Sequence, residues 1–495
     1  MLRRPSPFTR LPVSRAIVTA LLMGLAGCTT VGPQYAGAPS VAAAASAAFA
    51  RQGIEQAGVP LATWWTTLND PLLDSLMQRA LQASPELAVA EARLLQSRAG
   101  LANERANQAP KGSATALAAR ARIPPISLSS NSSSSSSSGS SPNWINLFSV
   151  GFDATWEIDL FGGQRRKVEA AQAQLDGAQA QLADVQVSLT AEVAQAYVQV
   201  RDCQARLRLS RAAIARQERM LALTQQRLAG GTASRLDVVR LQGQLENTRA
   251  DVVPLSAQLA AYEDQLAILL GQAPGSLDTE LADERAVPLP PVRVDVGDPT
   301  ALLQRRPDIR AAERALAASN AQIGVAEAAR FPRLQLLGLI GVGGTRPNDL
   351  LHLDDATIIA APQLSWNVLD FGRSRAQVRQ AEAKRDEADA QYRAKVLAAL
   401  GDAEDALARF GQRRVAVATL ARAKASADEA TDLMRQRQQA GTASTIELLD
   451  AERQQIAAEQ NLSAGLAALA GDYVSLQKAL GLGWQPVAAE GQPAG

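Results

Sequence analysis

The sequence predicts a mainly α-helical protein with a small β part, organised as two internal repeats. Motifs recur at a spacing that stays constant over more than a hundred positions, which is the signature of a duplicated unit. Each unit contains a long proline-free stretch with apolar residues at coiled-coil spacing. Each unit also contains a segment in which apolar and polar residues alternate, the pattern of a strand with two different faces. These observations predict the order helix, β-hairpin, long helix and shorter helix in each repeat.

The repeats are recognised by motifs that lie 210 positions apart. The matching pairs begin at Trp156 and Trp366, at Phe161 and Phe371, at Gly231 and Gly441, and at Leu270 and Leu480. Farther upstream, Pro85 and Pro307 keep a spacing of 222, so the first repeat contains 12 additional residues. The serine-rich run 127–141 lies in that window and has the composition of a flexible loop. An insertion in one loop therefore accounts for the change of spacing.

Each repeat is predicted to contain one very long helix. Residues 164–229 and 374–440 contain no proline, and at 1.5 Å per residue the first would extend over about 100 Å. Shorter helices are predicted at 235–270 and 445–480. Apolar or small residues recur in the first long helix at every seventh position, namely Leu175, Leu182, Leu189, Ala196 and Cys203. Cys203 is therefore interpreted as a small core residue and not as a redox site.

The alternating pattern is clearest at 146–156 and is repeated more weakly at 358–366. Strands of about ten residues are long enough to cross a bilayer at a tilt. A soluble, half-buried hairpin is the alternative interpretation. Two hairpins supply four strands, too few to close a barrel, and the long helices cannot bury their apolar faces within one protomer. The sequence therefore predicts an oligomer, although counting strands does not fix the number of copies.

Composition excludes several classes of function. Lys and Arg number 50 against 49 Asp and Glu, so the chain lacks the basic excess of a nucleic-acid-binding protein. A single histidine, His352, and two cysteines exclude a zinc cluster and a disulfide framework. No nucleophile-elbow, P-loop or zinc motif occurs in the sequence. We therefore expect no enzymatic activity, no metal site and no non-covalent cofactor.

The N-terminus predicts an export signal. Arginines precede an apolar run at 16–26, which is shorter than the roughly 20 residues that a spanning helix needs. The run ends in Leu-Ala-Gly-Cys at 25–28, which looks like a bacterial lipobox. Processing of that kind would place an N-acyl group and an S-diacylglycerol group on Cys28. The alternative is a plain signal peptide with an incidental cysteine. Thr29 follows where an Asp would imply retention at the inner membrane, so the resemblance implies the outer membrane.

The whole pattern resembles the TolC-like outer membrane factors, specifically the lipoprotein branch of the OprM and NodT type. The resemblance covers nearly all of the mature chain. It is carried by Trp64-Trp65, Asp70-Pro71-Leu72, Ser84-Pro85-Glu86-Leu87 and Arg305-Arg306-Pro307-Asp308-Ile309. It implies a homotrimer with a 12-stranded β-barrel in the outer membrane, continuing into a long periplasmic α-helical coiled-coil barrel.

With this resemblance the chain divides into six segments. They are a lipoprotein signal peptide at 1–27, a lipid-anchored N-terminal segment of the equatorial region at 28–75, repeat 1 at 76–271, an equatorial connector at 272–301, repeat 2 at 302–481 and a C-terminal tail at 482–495. The implied location is the cell outer membrane, with lipid anchoring and an extension into the periplasm.

The implied function is the outer-membrane exit channel of a tripartite efflux system that passively conducts drugs or other small toxic compounds. The implied partners are further copies of the chain, a periplasmic adaptor protein, a proton-driven inner-membrane pump and outer-membrane lipid, but no nucleic acid. The duct of a type I protein secretion system is an alternative with the same fold. A lipid-anchored periplasmic coiled-coil adaptor that does not span the membrane is a second alternative.

The resemblance also assigns two helix–helix turns to adaptor docking, with a simple turn as the alternative. Tip 1 comprises Gly231, Thr232, Ala233 and Ser234, and tip 2 comprises Gly441, Thr442, Ala443 and Ser444. Asp237 is implied to help hold a periplasmic aperture shut, whereas Glu447 and Asp450 would ring its lumen. A solvated helix face is the alternative for these acidic residues. Some members of the family carry an arginine at the place of Ala443, so closing contacts could come instead from Arg235, Arg435 or Arg437.

Overall fold

The computed structural model of the chain describes residues 30–41, 49–50, 62–123, 143–351 and 356–484. These residues belong to two compact units. Unit 1 draws on Met1–Gly37, Ser97–Leu175 and Ala315–Asp389, and unit 2 draws on Ala38–Gln96, Asp176–Arg314 and Ala390–Gly495.

Several sequence predictions fall outside the described residues. They are the signal peptide at 1–27, the lipidation at Cys28 and the serine-rich run 127–141. Of the predicted tail at 482–495, the structure describes residues 482–484.

Helices dominate the chain. In order they are α1 (Pro71–Ala83), α2 (Pro85–Ala106), α3 (Gly163–Ala229), α4 (Arg235–Leu269), α5 (Asp278–Leu281), α6 (Pro299–Arg305), α7 (Pro307–Ala328), α8 (Arg373–Gln439) and α9 (Thr445–Ala479). Two 3₁₀ helices span Trp64–Leu68 and Pro347–Leu351. Proline at the first position of α1, α2 and α7 suits helix starts, because its missing N–H has no intrahelical acceptor there.

Four strands form one antiparallel sheet in unit 1, in the order β1-β2-β3-β4. The strands are β1 (Lys111–Ile123), β2 (Asn143–Ile158), β3 (Arg333–Gly344) and β4 (Thr357–Ser365). The strands β2 and β3 come from different repeats, so their pairing joins the two repeats inside one chain. Within the described residues β1 and β4 each have a single strand neighbour and are the edges of the sheet.

The predicted fold class is confirmed: the chain is mainly helical, with four antiparallel strands and the same order of elements in both repeats. The two long helices α3 and α8 contain 67 residues each. The side chains at the predicted heptad positions of α3 are buried, and Cys203 among them is 2% exposed. The coiled-coil interpretation of this helix therefore holds, and Cys203 is a core residue.

Motif residues near the start of the chain build the core of unit 2. Trp64 is buried and packs edge-on against Tyr473, with ring centroids 5.9 Å apart. Asp70 caps α1 by accepting the N–H of Leu72 at 3.0 Å, and it also accepts the hydroxyl of Tyr197 at 2.5 Å. Burial and this hydrogen bond raise the pKa of Tyr197 to about 12. The motif Trp64-Trp65 followed by Asp70-Pro71 thus serves packing and capping.

Candidate functional site: sheet faces, N-terminal segment and helix–helix tips

The sheet presents two chemically different faces. Residues that pair across antiparallel strands point to the same side, so the register sorts every strand position onto a face. The first, which we call the apolar face, carries in β2 the residues Phe148, Val150, Phe152, Ala154 and Trp156. Their partners on this face include Ala114, Ala116 and Ala118 of β1 and Leu336, Ile340 and Val342 of β3.

The opposite face, which we call the mixed face, alternates polar with apolar residues. It carries Ser113, Thr115, Asp153, Gln335 and Gln363 beside leucines and isoleucines. Thr115 donates its hydroxyl to Asp153 at 3.0 Å across two neighbouring strands. An apolar face opposite a face that carries polar groups is the pattern of strands that separate hydrocarbon from water.

The described N-terminal segment is bound at the junction between β2 and α3. The N–H of Val31 donates to the carbonyl oxygen of Phe161 at 3.1 Å. Arg166, whose side chain is buried, donates to the carbonyl oxygens of Val31 at 3.1 Å and Gly32 at 2.9 Å. Gly32 has a positive φ of 89°, and a Cβ there would collide with the backbone of Gly324. The segment therefore fits against α7 only because positions 32 and 324 are both glycine.

Tip 1 and tip 2 have the same hydrogen-bonded geometry. Each glycine takes a φ of 72°, which lets the preceding helix end in a left-handed residue. The N–H of Thr232 donates to the carbonyl oxygen of Arg227 at 2.8 Å, and its hydroxyl donates to the same oxygen at 3.1 Å. In tip 2 the corresponding distances from Thr442 to Arg437 are 2.9 Å and 3.0 Å.

The serine of each tip caps the helix that follows. Ser234 accepts the N–H of Asp237 at 3.2 Å, and the Asp237 carboxylate accepts the N–H of Ser234 at 3.2 Å. Ser444 and Glu447 form the same reciprocal pair, with distances of 3.2 Å and 2.7 Å. These hydrogen bonds to Ser444 hold the pKa of Glu447 below its usual range. Two of the three predicted aperture residues thus have a local structural role in this chain.

A cleft between α4 and α9 brings two of the predicted aperture residues together. Asp237 and Asp450 both line this cleft of about 100 Å³, with Arg240 and Arg453 beside them. The Asp450 carboxylate lies 3.7 Å from the guanidinium of Arg453, and both side chains are largely exposed. Glu447 is exposed and lies outside the lining of this cleft. The structure therefore joins Asp237 and Asp450 and separates Glu447 from them.

Of the three arginines considered for closing contacts, Arg435 is engaged within the chain. Its guanidinium lies 2.7 Å from Asp432 and 3.7 Å from Glu452 of α9. Arg437 donates to the carbonyl oxygen of Thr442 at 3.4 Å. These contacts tie the end of α8 to tip 2 and to α9.

A buried charge cluster lies at the start of α7 in unit 2. The guanidinium of Arg306 is 10% exposed and lies 2.8 Å from Asp308, and it also donates to the carbonyl oxygen of Ala479 at 2.9 Å. Burial alone would raise the pKa of Asp308, but Arg306 and Lys395 outweigh it and hold that pKa below its usual range. The motif Arg305-Arg306-Pro307-Asp308 is therefore a packing element.

Neither a metal site nor a membrane-spanning helix is found among the described residues. No group of three or more metal-ligating side chains occurs in the part of the chain that the structure covers. None of the helices there combines the length and apolar character that a membrane span needs.

The fold, the sheet faces and the tips define a duplicated, mainly helical chain with one four-stranded sheet. The sequence profile described as outer membrane efflux protein matches residues 76–272 and 299–482. The chain therefore belongs to the outer membrane efflux protein family. It is an outer-membrane efflux channel protein and not an enzyme, which confirms both the predicted resemblance and the predicted class of function.

Individual relatives match over almost the whole chain. Nodulation protein T of Rhizobium leguminosarum bv. trifolii is 31% identical over 94% of this chain and 97% of its own length. Outer membrane protein OprJ of Pseudomonas aeruginosa is 31% identical over 94% and 96%. The solved structure of the outer-membrane channel OprN superposes with a TM-score of 0.79 at 34% identity, covering 92% of this chain and all of that one.

Proposed function

We propose that the chain is the lipid-anchored exit channel of a tripartite efflux system and acts as a homotrimer. The observation that carries this proposal is the sheet of unit 1, whose apolar face is exposed to solvent in the single chain. Val150, Phe152, Ile340, Ile358 and Leu364 of that face are between 47% and 72% exposed. An exposed apolar surface of this kind marks a membrane or protein contact, and its position opposite the mixed face with its polar groups fits a barrel wall.

The sheet edges support assembly from several copies. Within the chain, β2 of repeat 1 pairs with β3 of repeat 2. Because the repeats are equivalent, the same contact between copies would pair β4 of one chain with β1 of the next. Unpaired backbone groups cannot face hydrocarbon, so the two edges must be closed. Three copies provide 12 strands, which is the closed barrel that the family resemblance implies.

The N-terminal segment supports a lipid anchor at Cys28. Thr30 lies against Gly162, so that a Cβ on this glycine would come within 2.9 Å of the Thr30 Cα atom. Gly162 follows β2 by four residues, at the end of the strand that leads into α3. Cys28 precedes Thr30 by two residues, and two extended residues reach about 7 Å. Acyl chains on Cys28 would therefore start close to the helix end of the apolar face, where a membrane surface is expected.

The proposed cargo is drugs or other small toxic compounds, and the proposed energy source is a proton-driven inner-membrane pump. Relatives named for antibiotic efflux and for solvent efflux support this class of cargo. The channel itself conducts passively. Adaptor docking at tip 1 and tip 2 would favour the open arrangement if the adaptor binds that arrangement more tightly than the closed one.

The proposed aperture residues are Asp237, Asp450 and Glu447, in two different roles. Asp237 and Asp450 share the cleft with Arg240 and Arg453. Three copies of Asp450 around one axis would crowd like charges and attract cations to the extent that Arg240 and Arg453 leave those charges unpaired. Glu447 would act mainly by keeping the start of α9 in place through its capping box. We expect Asp237→Ala to raise the resting conductance of the reconstituted channel, and unchanged conductance would contradict a closing role for Asp237.

The experiment that tests the function is photo-crosslinking in cells from a probe at Ala233 or Ala443, followed by identification of the captured protein. Capture of the adaptor of a proton-driven resistance pump supports the proposal. Capture of the adaptor of an ATP-driven protein exporter would assign the chain to type I secretion. A matched probe at Val415, an exposed position on α8 away from the tips in sequence, controls for random capture. Equal capture from Val415 would contradict docking at the tips.

A further inference from the structure

The apolar face of the sheet contains two charged residues at one end. The other charged residues of the four strands, Lys111, Asp153, Glu157 and Arg333, lie on the mixed face. Arg120 and Arg122 lie on the apolar face, opposite Asn146 and Trp144 of β2. Arginine facing hydrocarbon is costly, so its presence on this face calls for a partner.

Both arginines lie at the end of the sheet farthest from the helices of unit 1. β2 leads into α3 at its other end, after Ile158, and β1 follows α2 at that same end. Between the two ends the apolar face of β1 carries alanine, and that of β2 carries Phe148, Val150 and Phe152. Arg120 and Arg122 therefore mark the boundary of the apolar band on the side that would face the cell exterior.

The arginines have no acidic partner among the described residues. The guanidinium of Arg120 lies over the indole ring of Trp144, 5.0 Å from the ring centroid. Trp144 is itself 52% exposed, and both arginines are exposed. The sequence from residue 111 to residue 152 contains no Asp or Glu. Asp349, near the same end of β3, accepts the backbone N–H of Arg346 at 2.9 Å.

Among the paired strand residues, a neighbouring copy supplies no acid either. By repeat symmetry, the pairing of Val150 with Val342 would place Ala360 of one copy beside Arg120 of the next. The pairing of Phe148 with Gly344 would likewise place Ile358 beside Arg122. These neighbours are apolar. Within the described strands, the positive charge at this rim is therefore available to a ligand from the surrounding membrane.

We propose that Arg120, Arg122 and Trp144 bind the phosphate group of an anionic glycolipid in the outer leaflet of the outer membrane. A guanidinium binds phosphate through two parallel N–H donors, which makes arginine well suited to phosphate recognition. Side chains two positions apart on one strand face lie about 7 Å apart, so the pair spans one or two phosphate groups of a single headgroup. Trp144 fixes the depth of the site, because an indole prefers the membrane interface. This inference depends on the proposed crossing of the membrane by the strands.

The test uses purified full-length protein in lipid nanodiscs that contain bis-phosphorylated lipid A. Native mass spectrometry counts the lipid A molecules retained by wild type and by the double variant Arg120→Gln/Arg122→Gln. The matched control is Lys111→Gln/Arg333→Gln, which removes the same number of charges from the mixed face at the other end of the sheet. We expect the first variant to retain lipid A at least about tenfold more weakly than wild type, and the control to equal wild type.

Two further arms identify the ligand. Wild-type protein should retain lipid A without phosphate groups as weakly as the arginine variant retains intact lipid A. Free inorganic phosphate should not displace bound lipid A, since the acyl chains contribute to binding. Retention that is unchanged in the arginine variant, or equal for the dephosphorylated lipid, would overturn the proposal. If all variants assemble into oligomers and conduct like wild type, the proposed channel function stands whether or not the arginines bind lipid A.

Discussion

The two tips and the two strand–helix junctions are products of the same duplication, yet the tips match in their contacts whereas the junctions differ in their contacts with distant segments. Gly231 and Gly441 adopt the same φ, and both tips carry the same capping box. At the first junction Phe161 stacks on Phe331, with ring centroids 4.6 Å apart. At the second junction the equivalent Phe371 is 92% exposed.

The difference between tips and junctions separates contacts that form within one repeat from contacts that need another part of the protein. A tip is stabilised by hydrogen bonds between residues close in sequence, so it forms wherever the motif occurs. A junction is stabilised by segments distant in sequence, and at the first junction repeat 2 and the N-terminal segment supply these contacts within the chain. Gly162 is closely approached by Thr30, whereas no atom of the residues that the structure describes lies near a Cβ position at Gly372. In the proposed trimer, the neighbour of the second junction is the first repeat of another copy.

The largest effect is expected at the helix starts, a third pair of equivalent sites. Arg306 and Asp308 precede and follow Pro307, whereas repeat 1 has Ser84 and Glu86 around Pro85. Asp308→Asn leaves the buried Arg306 guanidinium without its closest partner and should cost about 3 kcal/mol of unfolding free energy.

The matched variant is Ser84→Ala in repeat 1. The Ser84 hydroxyl is buried and has no hydrogen-bond partner among the described residues, so this change should cost less than about 0.5 kcal/mol. Thermal unfolding of the purified protein in detergent measures both. Similar losses at the two sites would show that the charge cluster is not specific to repeat 2.

The same cluster predicts a pH dependence. The pKa of Asp308 is lower in the folded chain than in the unfolded chain, so between the two values the unfolded state binds more protons. Asp308 therefore contributes stability above its unfolded pKa of about 3.9, and this contribution is lost as the pH falls below that value. Stability measured between pH 6 and about pH 3 should fall more steeply for wild type than for Asp308→Asn, and parallel curves would contradict the assignment.

The junctions should respond differently to the loss of their phenylalanines. Phe161→Ala removes the stack on Phe331 and should lower the unfolding free energy by about 2 kcal/mol. Phe371→Ala should leave the stability of the separated chain unchanged and weaken the assembly of copies. Calorimetry of the dissociated chain and the dissociation temperature of the oligomer measure the two effects. A stable oligomer with Phe371→Ala would contradict a contact between copies at this junction.

The smallest difference is expected between the tips. Ser234→Ala and Ser444→Ala each remove one capping box and should each cost about 1 kcal/mol. Hydrogen exchange of the first turns of α4 and α9 reports this local loss. Unequal protection after the two changes would indicate that a further contact distinguishes tip 1 from tip 2.

Much of the fold could be predicted because it depends on local patterns. The long helices follow from proline-free heptads, and the strand β2 follows from strict alternation. The capping boxes were also readable as Ser-x-x-Asp at 234–237 and Ser-x-x-Glu at 444–447, a signal that our sequence interpretation of the acidic residues did not include.

Other features depend on partners distant in sequence. The contact of Arg166 with Val31 and Gly32 joins positions more than 130 residues apart, and no local pattern announces it. The cleft that joins Asp237 to Asp450 arises from the packing of α4 against α9. The face of Arg120 became clear from the register of β1 with β2, because the alanine-rich sequence of β1 does not distinguish its two sides.

The most direct test of this account is a cysteine pair at the edges of the sheet. Repeat symmetry carries the pair Gly151–Gly341 onto Ala361 of one copy beside Ala119 of the next. The double variant Ala119→Cys/Ala361→Cys should form a covalent trimer on oxidation in cells, whereas Leu117→Cys/Ala361→Cys, displaced by two residues, should form much less. The absence of covalent trimer from the first pair, or equal yields from both, would contradict the closure of the barrel between copies.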